Sequence, residues 1–160
     1  MVMAQARLSF VVEPASLSFK SRGPVWGRVY IHTGDSWFPE KGWEDIAVPV
    51  AAAWLQAIMN LVRESQSTAS VHFMDGPFYA DMSREGDEVK VRLIEDRSSG
   101  PIVEHEVGVP FQDVVDNALE VSAAILTECR RNGWKDRDAE TLQSLQSDLR
   151  GALPVPHYHA

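Results

Sequence analysis

Between Asp45 and Glu64 the chain carries Ile46, Val50, Trp54, Ile58 and Val62 at every fourth position, with Leu55, Met59 and Leu61 beside them. That spacing predicts a helix of about five turns with a broad apolar face. Asp45 is placed to cap it, because a short carboxylate accepts the free amide hydrogens of a first turn. Pro49 falls near the start, where a missing N–H costs little. A lone helix of this size is marginal in water, so its apolar side requires a sheet to cover.

Strand patterns flank the helix on both sides. Leu8, Phe10 and Val12 alternate with Ser9 and Val11, and Leu17 and Phe19 alternate with Ser16, Ser18 and Lys20 beyond a turn near Pro14. Val25 to Thr33 reads as a third strand, with Val25, Gly27, Val29 and Ile31 on one face; Gly27 leaves room for a bulky neighbour. The aromatic stretch Gly34–Trp43 reads as a loop broken by Pro39 and Gly42.

After the helix, a four-strand antiparallel meander is expected from about Ser70 to Val109. Setting Val71 and Phe73 opposite Ala80 and Phe78 keeps both apolar sets on one face, which is the condition for a fixed register. A tight turn at Glu85-Gly86 then sets Met82, Ala80 and Phe78 opposite Val89, Val91 and Leu93, with Asp81 against Lys90 and Tyr79 against Arg92. The last strand sets Val103 and Val107 opposite Leu93 and Val89, and Glu104 and Glu106 against Arg92 and Lys90. Opposite charges thus fall together in a register chosen by hydrophobic alternation alone.

Phe111, Val114, Ala118, Val121, Ile125 and Cys129 predict a second helix after Pro110, ending in Arg130 and Arg131 with Gly133 just beyond. A third, shorter helix carries Ala139, Leu142, Leu145 and Leu149, capped by Asp136 or Asp138 and stopped at Gly151. The whole is an α+β chain, with an antiparallel sheet of three N-terminal strands plus the meander, a long central helix and two C-terminal helices packed on it. Its 160 residues suit a single domain over 1–160. Residues 1–6 read as a frayed end and 152–160 as an exposed tail.

Composition narrows the function. Apolar residues make up 44% and no apolar run reaches about 18 residues, so no membrane helix is expected. The N-terminus lacks the pattern of a secretory signal. The lone Cys129 excludes an intramolecular disulfide, and a cytoplasmic location is expected. Residues 1–43 hold five basic and three acidic side chains, a balance of +2, while the remainder holds ten basic and twenty acidic, a balance of −10. Phosphate backbones are repelled by such a surface, which disfavours nucleic-acid binding.

The catalytic patterns do not assemble. His157 and His159 form an H-x-H pair in the tail, and His32, His72 and His105 lie on expected strands, but no Cys or His pair has structural-zinc spacing. No metal or cofactor is therefore assigned. Cys129 falls beside a buried helical stripe, where thiols are commonly inert. Asp45 and Asp75 are explained by cap and turn chemistry. There is no Walker loop, G-x-G-x-x-G, H-E-x-x-H or G-x-S-x-G, so no catalytic residue is named.

Binding residues are easier to nominate. Trp37, Phe38 and Trp43 crowd the entry to the central helix, either stapling it or serving as interface anchors, a use that favours aromatic rings. Asp75 and Tyr79 join them as candidate partner-binding residues. Trp54 and His105, the latter expected on the apolar face of the meander, are candidates for lining a pocket between helix and sheet.

Phe38-Pro39 with Gly42-Trp43 and Asp45, the turn Phe73-Met74-Asp75-Gly76-Pro77, and Ala123 to Trp134 resemble small uncharacterised bacterial α+β proteins. More loosely the layout resembles immunity proteins of polymorphic toxins. That resemblance implies a small acidic domain that neutralises a toxin by binding it, and it carries over no site residue. The expectation is a non-enzymatic protein-binding module with a protein partner, or self-association through the open meander edge. The alternative is a small-molecule binder or enzyme with a pocket under the central helix.

Overall fold

A computed structural model describes residues 7–20, 23–63 and 66–153. The H-x-H pair at His157 and His159 and the first six residues lie outside them. Strands β1 (Leu8–Val12), β2 (Gly27–Thr33), β3 (Ser36–Phe38) and β4 (Glu44–Asp45) precede helix α1 (Ala47–Val62). Strands β5 (Thr68–His72), β6 (Phe78–Glu85), β7 (Glu88–Arg97) and β8 (Gly100–Pro110) follow, then helices α2 (Phe111–Arg131) and α3 (Arg137–Ala152). The fold is α+β, and its strands divide between two antiparallel sheets of four.

The first sheet differs from expectation in two places. Leu17–Phe19 contributes only a bridge between Ser18 and Trp26, because Pro14–Ser16 forms a 3-10 turn that brings Leu17 across β2 instead of along it. Gly27 is what admits Leu17: a Cβ there would sit 2.6 Å from the leucine Cδ2. The aromatic stretch is not a plain loop either. Trp37 and Phe38 pair with His32 and Ile31, and Glu44 and Asp45 pair with Arg28 and Gly27, so the stretch folds back on β2 twice.

Helix α1 starts one residue later than expected, and Ile46 occupies its N-cap with no side-chain bond. Asp45 is therefore not the cap. Nor is α1 one-sided: Gln56 and Asn60 are its only strongly polar residues, and ten others are buried. A helix apolar nearly all round must be covered on every side, and α1 is packed against β2, β5, α2 and α3. Arg84 ties its C-terminal end, donating to the Leu61 carbonyl at 2.7 Å with its guanidinium 4.1 Å over the Phe111 ring.

The meander is present in strand order β5-β6-β7-β8. Val71 opposes Ala80 as expected. Beyond β6, each pairing is displaced by two residues. The turn is Gly86-Asp87, so Met82 opposes Val91, Ala80 opposes Leu93, Asp81 opposes Arg92 and Ser83 opposes Lys90. Likewise Val109 opposes Val89 and Glu106 opposes Arg92, until a bulge at Leu93/Ile94 leaves Glu104 without an opposite residue. A slip of two preserves every face, so hydrophobic alternation cannot detect it. Phe73 and Leu93 remain buried.

The C-terminal half is closer to expectation. Gly133 has φ +64°, and the amides of Gly133 and Trp134 return to the carbonyls of Arg130 and Cys129 at 3.1 and 3.0 Å, the paired closure of a Schellman motif. Asp136 caps α3 through the Asp138 amide at 3.3 Å. Gly151 does not stop that helix, which continues to Ala152. One continuous core joins the inner faces of both sheets to all three helices. No described helix is long and apolar enough to cross a membrane.

Candidate interaction surface of the meander

The sequence-nominated residues separate into different environments. Phe38 is wholly buried and meets Phe73 and Phe78 edge-on at 6.0 and 5.6 Å. Trp43 is half-buried, edge-on to Phe78 at 5.3 Å. Trp37 is the exposed ring of the three at 37%, stacked on His32 at 5.1 Å with the Lys41 ammonium 5.1 Å over it. Phe38 and Trp43 thus act as staples, and Trp37 alone faces water.

Asp45 organises this corner. Its fully buried carboxylate accepts from the Trp43 indole at 3.2 Å, from the Ile46 amide at 2.7 Å, and from the amides of Met74 and Asp75 at 3.0 and 3.1 Å. Four donors satisfy a buried anion that would otherwise be costly. The effect is to lock the β5–β6 loop, so that Met74 is held out at 52% exposure beside an exposed Asp75. Two of its four donors lie 29 and 30 residues away, which is why Asp45 reads locally as a cap.

Trp54 and His105 lie in separate environments. Trp54 is sealed in the core, stacked on Phe10 at 4.9 Å, and its indole N–H has no partner there. His105 sits half-exposed on the outermost strand opposite Leu93. His32, His72 and His105 lie on three separate strands, and no described cluster of three His, Cys, Asp or Glu converges.

Two concave features among the described residues bear on the site. A cleft of about 260 Å³ at the junction of α2 and α3 is lined by Cys129, Trp134 and Asp136. Burial, then the nearby carboxylates of Asp136 and Glu128, push the Cys129 thiol up, so it stays protonated and unreactive. Burial also pushes the Asp136 carboxyl up, and one of its oxygens has no partner.

The larger feature is a groove of about 600 Å³ on the outer face of the meander. Thr68, Ser70, Asp81, Ser83, Lys90 and Arg92 line it, and across this face as a whole the pairing stacks side chains into rows over four strands. His72, Tyr79, Ile94 and Val103 form one row; Ser70, Asp81, Arg92 and Glu106 the next; Thr68, Ser83, Lys90 and Gly108 the third. Within them Tyr79 stacks on His72 at 4.9 Å and Ser70 donates to Asp81. Arg92 and Lys90 both reach Glu106, at 3.2 and 3.6 Å. Burial, then Asp81 and Asp96, push the Tyr79 hydroxyl up, so it remains a neutral donor.

Of the nominated residues only Tyr79 lies in these rows. The make-up of each row differs from expectation because a row is defined by register, and the register is two residues away from the one that alternation selects. Val103, expected opposite Leu93 on the apolar face, lies instead opposite Ile94 at the end of the first row and is 47% exposed, because the bulge moves it to the other side of the sheet. Comparison with protein-family models, curated proteins and solved structures returns no match to this chain.

Proposed function

We propose that this protein is a non-enzymatic binding module that engages another protein over the uncovered outer side of its meander. One observation carries the reading: the outer sheet face sets the half-buried Tyr79 ring and the exposed Val103, over a buried Ile94, beside a row of alternating charge whose Arg92 and Glu106 are open to solvent. Apolar anchors flanked by charge give a partner both contact area and orientation. The immunity-type resemblance suggests a bacterial toxin as the partner and the cytoplasm as the setting.

Photo-cross-linking from a benzoylphenylalanine placed at Tyr79 or Val103 in the native cell tests this. A discrete adduct is expected at both positions, lost when Arg92→Glu is added and kept when Glu120→Lys is added on the far helix. Absence of an adduct at both positions overturns the reading. A second reading, a small polar ligand in the groove, is favoured by its volume and by the hydroxyls of Thr68, Ser70 and Ser83. Such a ligand would raise the melting temperature in proportion to its concentration, with no protein adduct.

A further inference from the structure

The edges of the two sheets are treated differently. Strand β1, at the border of the first sheet, is answered by α2: the Asn117 carboxamide accepts from the Phe10 amide at 2.8 Å and donates to the Phe10 carbonyl at 3.2 Å. Strand β5, at one border of the meander, lies against α1. Strand β8, at the other border, has eleven residues and pairs only with β7 among the described residues. Its Ile102 and Val103 are exposed.

The unpaired groups on that edge can be identified. The Phe111 amide reaches the Asp87 carbonyl at 2.7 Å, so Val109, Val107 and His105, at every second residue back, turn toward β7. Gly108 and Glu106 between them turn their N–H and C=O groups outward. An open edge of this kind accepts an added strand.

We infer that β8 receives an extended segment of the partner as a fifth strand, and that this segment carries lysine or arginine at alternate positions. The inference rests on the binding-module reading and names the chemistry of its partner. The charged side chains on the edge strand are Glu104 and Glu106, whereas the cations Lys90, Arg92 and Arg97 sit on β7, about 4.8 Å further in. Lys90 and Arg92 already reach Glu106 and Arg97 already pairs with Glu95, which leaves Glu104, hydrogen-bonded to Glu95, with Arg97 and His105 acting on it only through space. An incoming strand therefore meets carboxylates first.

A second copy of the chain fits the edge poorly. Laid antiparallel and centred on His105, it sets Glu104 against Glu106; centred on either glutamate, it sets that residue against itself. Like charges directly opposite are destabilising. Moving the centre to Val103 or Val107 draws Pro101 or Pro110 into the paired run, where a donor is lost.

Fluorescence anisotropy with two labelled decapeptides, one alternating threonine with lysine and one alternating threonine with glutamate, tests the inference on the full chain. The lysine peptide is expected to bind and the glutamate peptide not to, with the difference shrinking as salt rises from about 0.05 to 0.5 M. Glu104→Lys with Glu106→Lys should exchange the preference, each affinity moving about tenfold or more. Glu120→Lys with Asp148→Lys, the same charge change on the helices, should leave the lysine peptide within about twofold. Glu106→Pro, which removes an outward amide, should bind the lysine peptide more weakly than Glu106→Gln.

Equal loss in the helix control reduces the effect to bulk charge and overturns the inference, as does equal binding by Glu106→Pro and Glu106→Gln. Dimerisation by light scattering that Glu106→Pro abolishes assigns the edge to a second copy instead. An adduct from Val103 in cells with no lysine-peptide binding removes the basic strand and keeps the binding module; no adduct from Tyr79 or Val103 removes both.

Discussion

Asp45 is the residue whose chemistry is most concentrated. Its carboxylate joins the start of α1, the Trp43 ring and the β5–β6 loop, with no cation among its partners. Asp45→Ala leaves buried donors unanswered, and each such group costs ~1–3 kcal/mol. We expect a loss of about 3 kcal/mol in urea denaturation and faster amide exchange at Met74 and Asp75, with α2 and α3 unaffected. Asp136 has the opposite character. Its carboxyl is pushed up by burial, so the folded state holds the proton more tightly than the unfolded chain and ionisation works against folding at neutral pH. Asp136→Asn keeps a capping oxygen and removes that charge. The variant should melt at or above the parent temperature at pH 7, and the gap should close as pH falls through the raised folded value toward the ordinary carboxylate range.

At the scale of elements, the meander's register is open to direct measurement. A double-mutant cycle on Arg92 and Glu106 should give a coupling of about 0.5 kcal/mol, as half-exposed pairs do. A cycle on Arg92 and Glu104, which alternation alone had set opposite each other, should give none. The four strands, their order, the buried faces as far as the bulge and all three helices were legible as periodicity. The two-residue displacement was not, because side chains repeat every two residues and a slip of two exchanges one apolar neighbour for another. The bulge at Glu104 was equally invisible: it inserts one residue without altering composition. Strand formation by Ser36–Phe38 was hidden behind Pro39, which read as a breaker although it lies just outside the pairing.

Across the whole molecule, a single core makes the parts interdependent. Leu142 on α3 is fully buried, although α3 is the last element and carries a polar outer face. Leu142→Ala should cost about 2–5 kcal/mol. Because one core joins both sheets to all three helices, the tryptophan fluorescence, four of whose five rings lie in the first half, and the far-UV circular dichroism of the whole should still move in one coincident transition. Separate transitions would show that the sheets fold as independent units.

What the amino-acid order by itself determined was local: where most of the strands and all three helices lie, and which side of most of them is apolar. Those follow from backbone periodicity, caps and turn residues, all of which act over a few neighbours. Only the tertiary structure decided what Asp45 holds, that Trp54 is sealed away from His105, which glutamate meets Arg92, and which sheet edge is left uncovered. These depend on contacts between residues tens of positions apart. At that range several arrangements bury the same side chains almost equally well, and side-chain packing and hydrogen-bond geometry select among them.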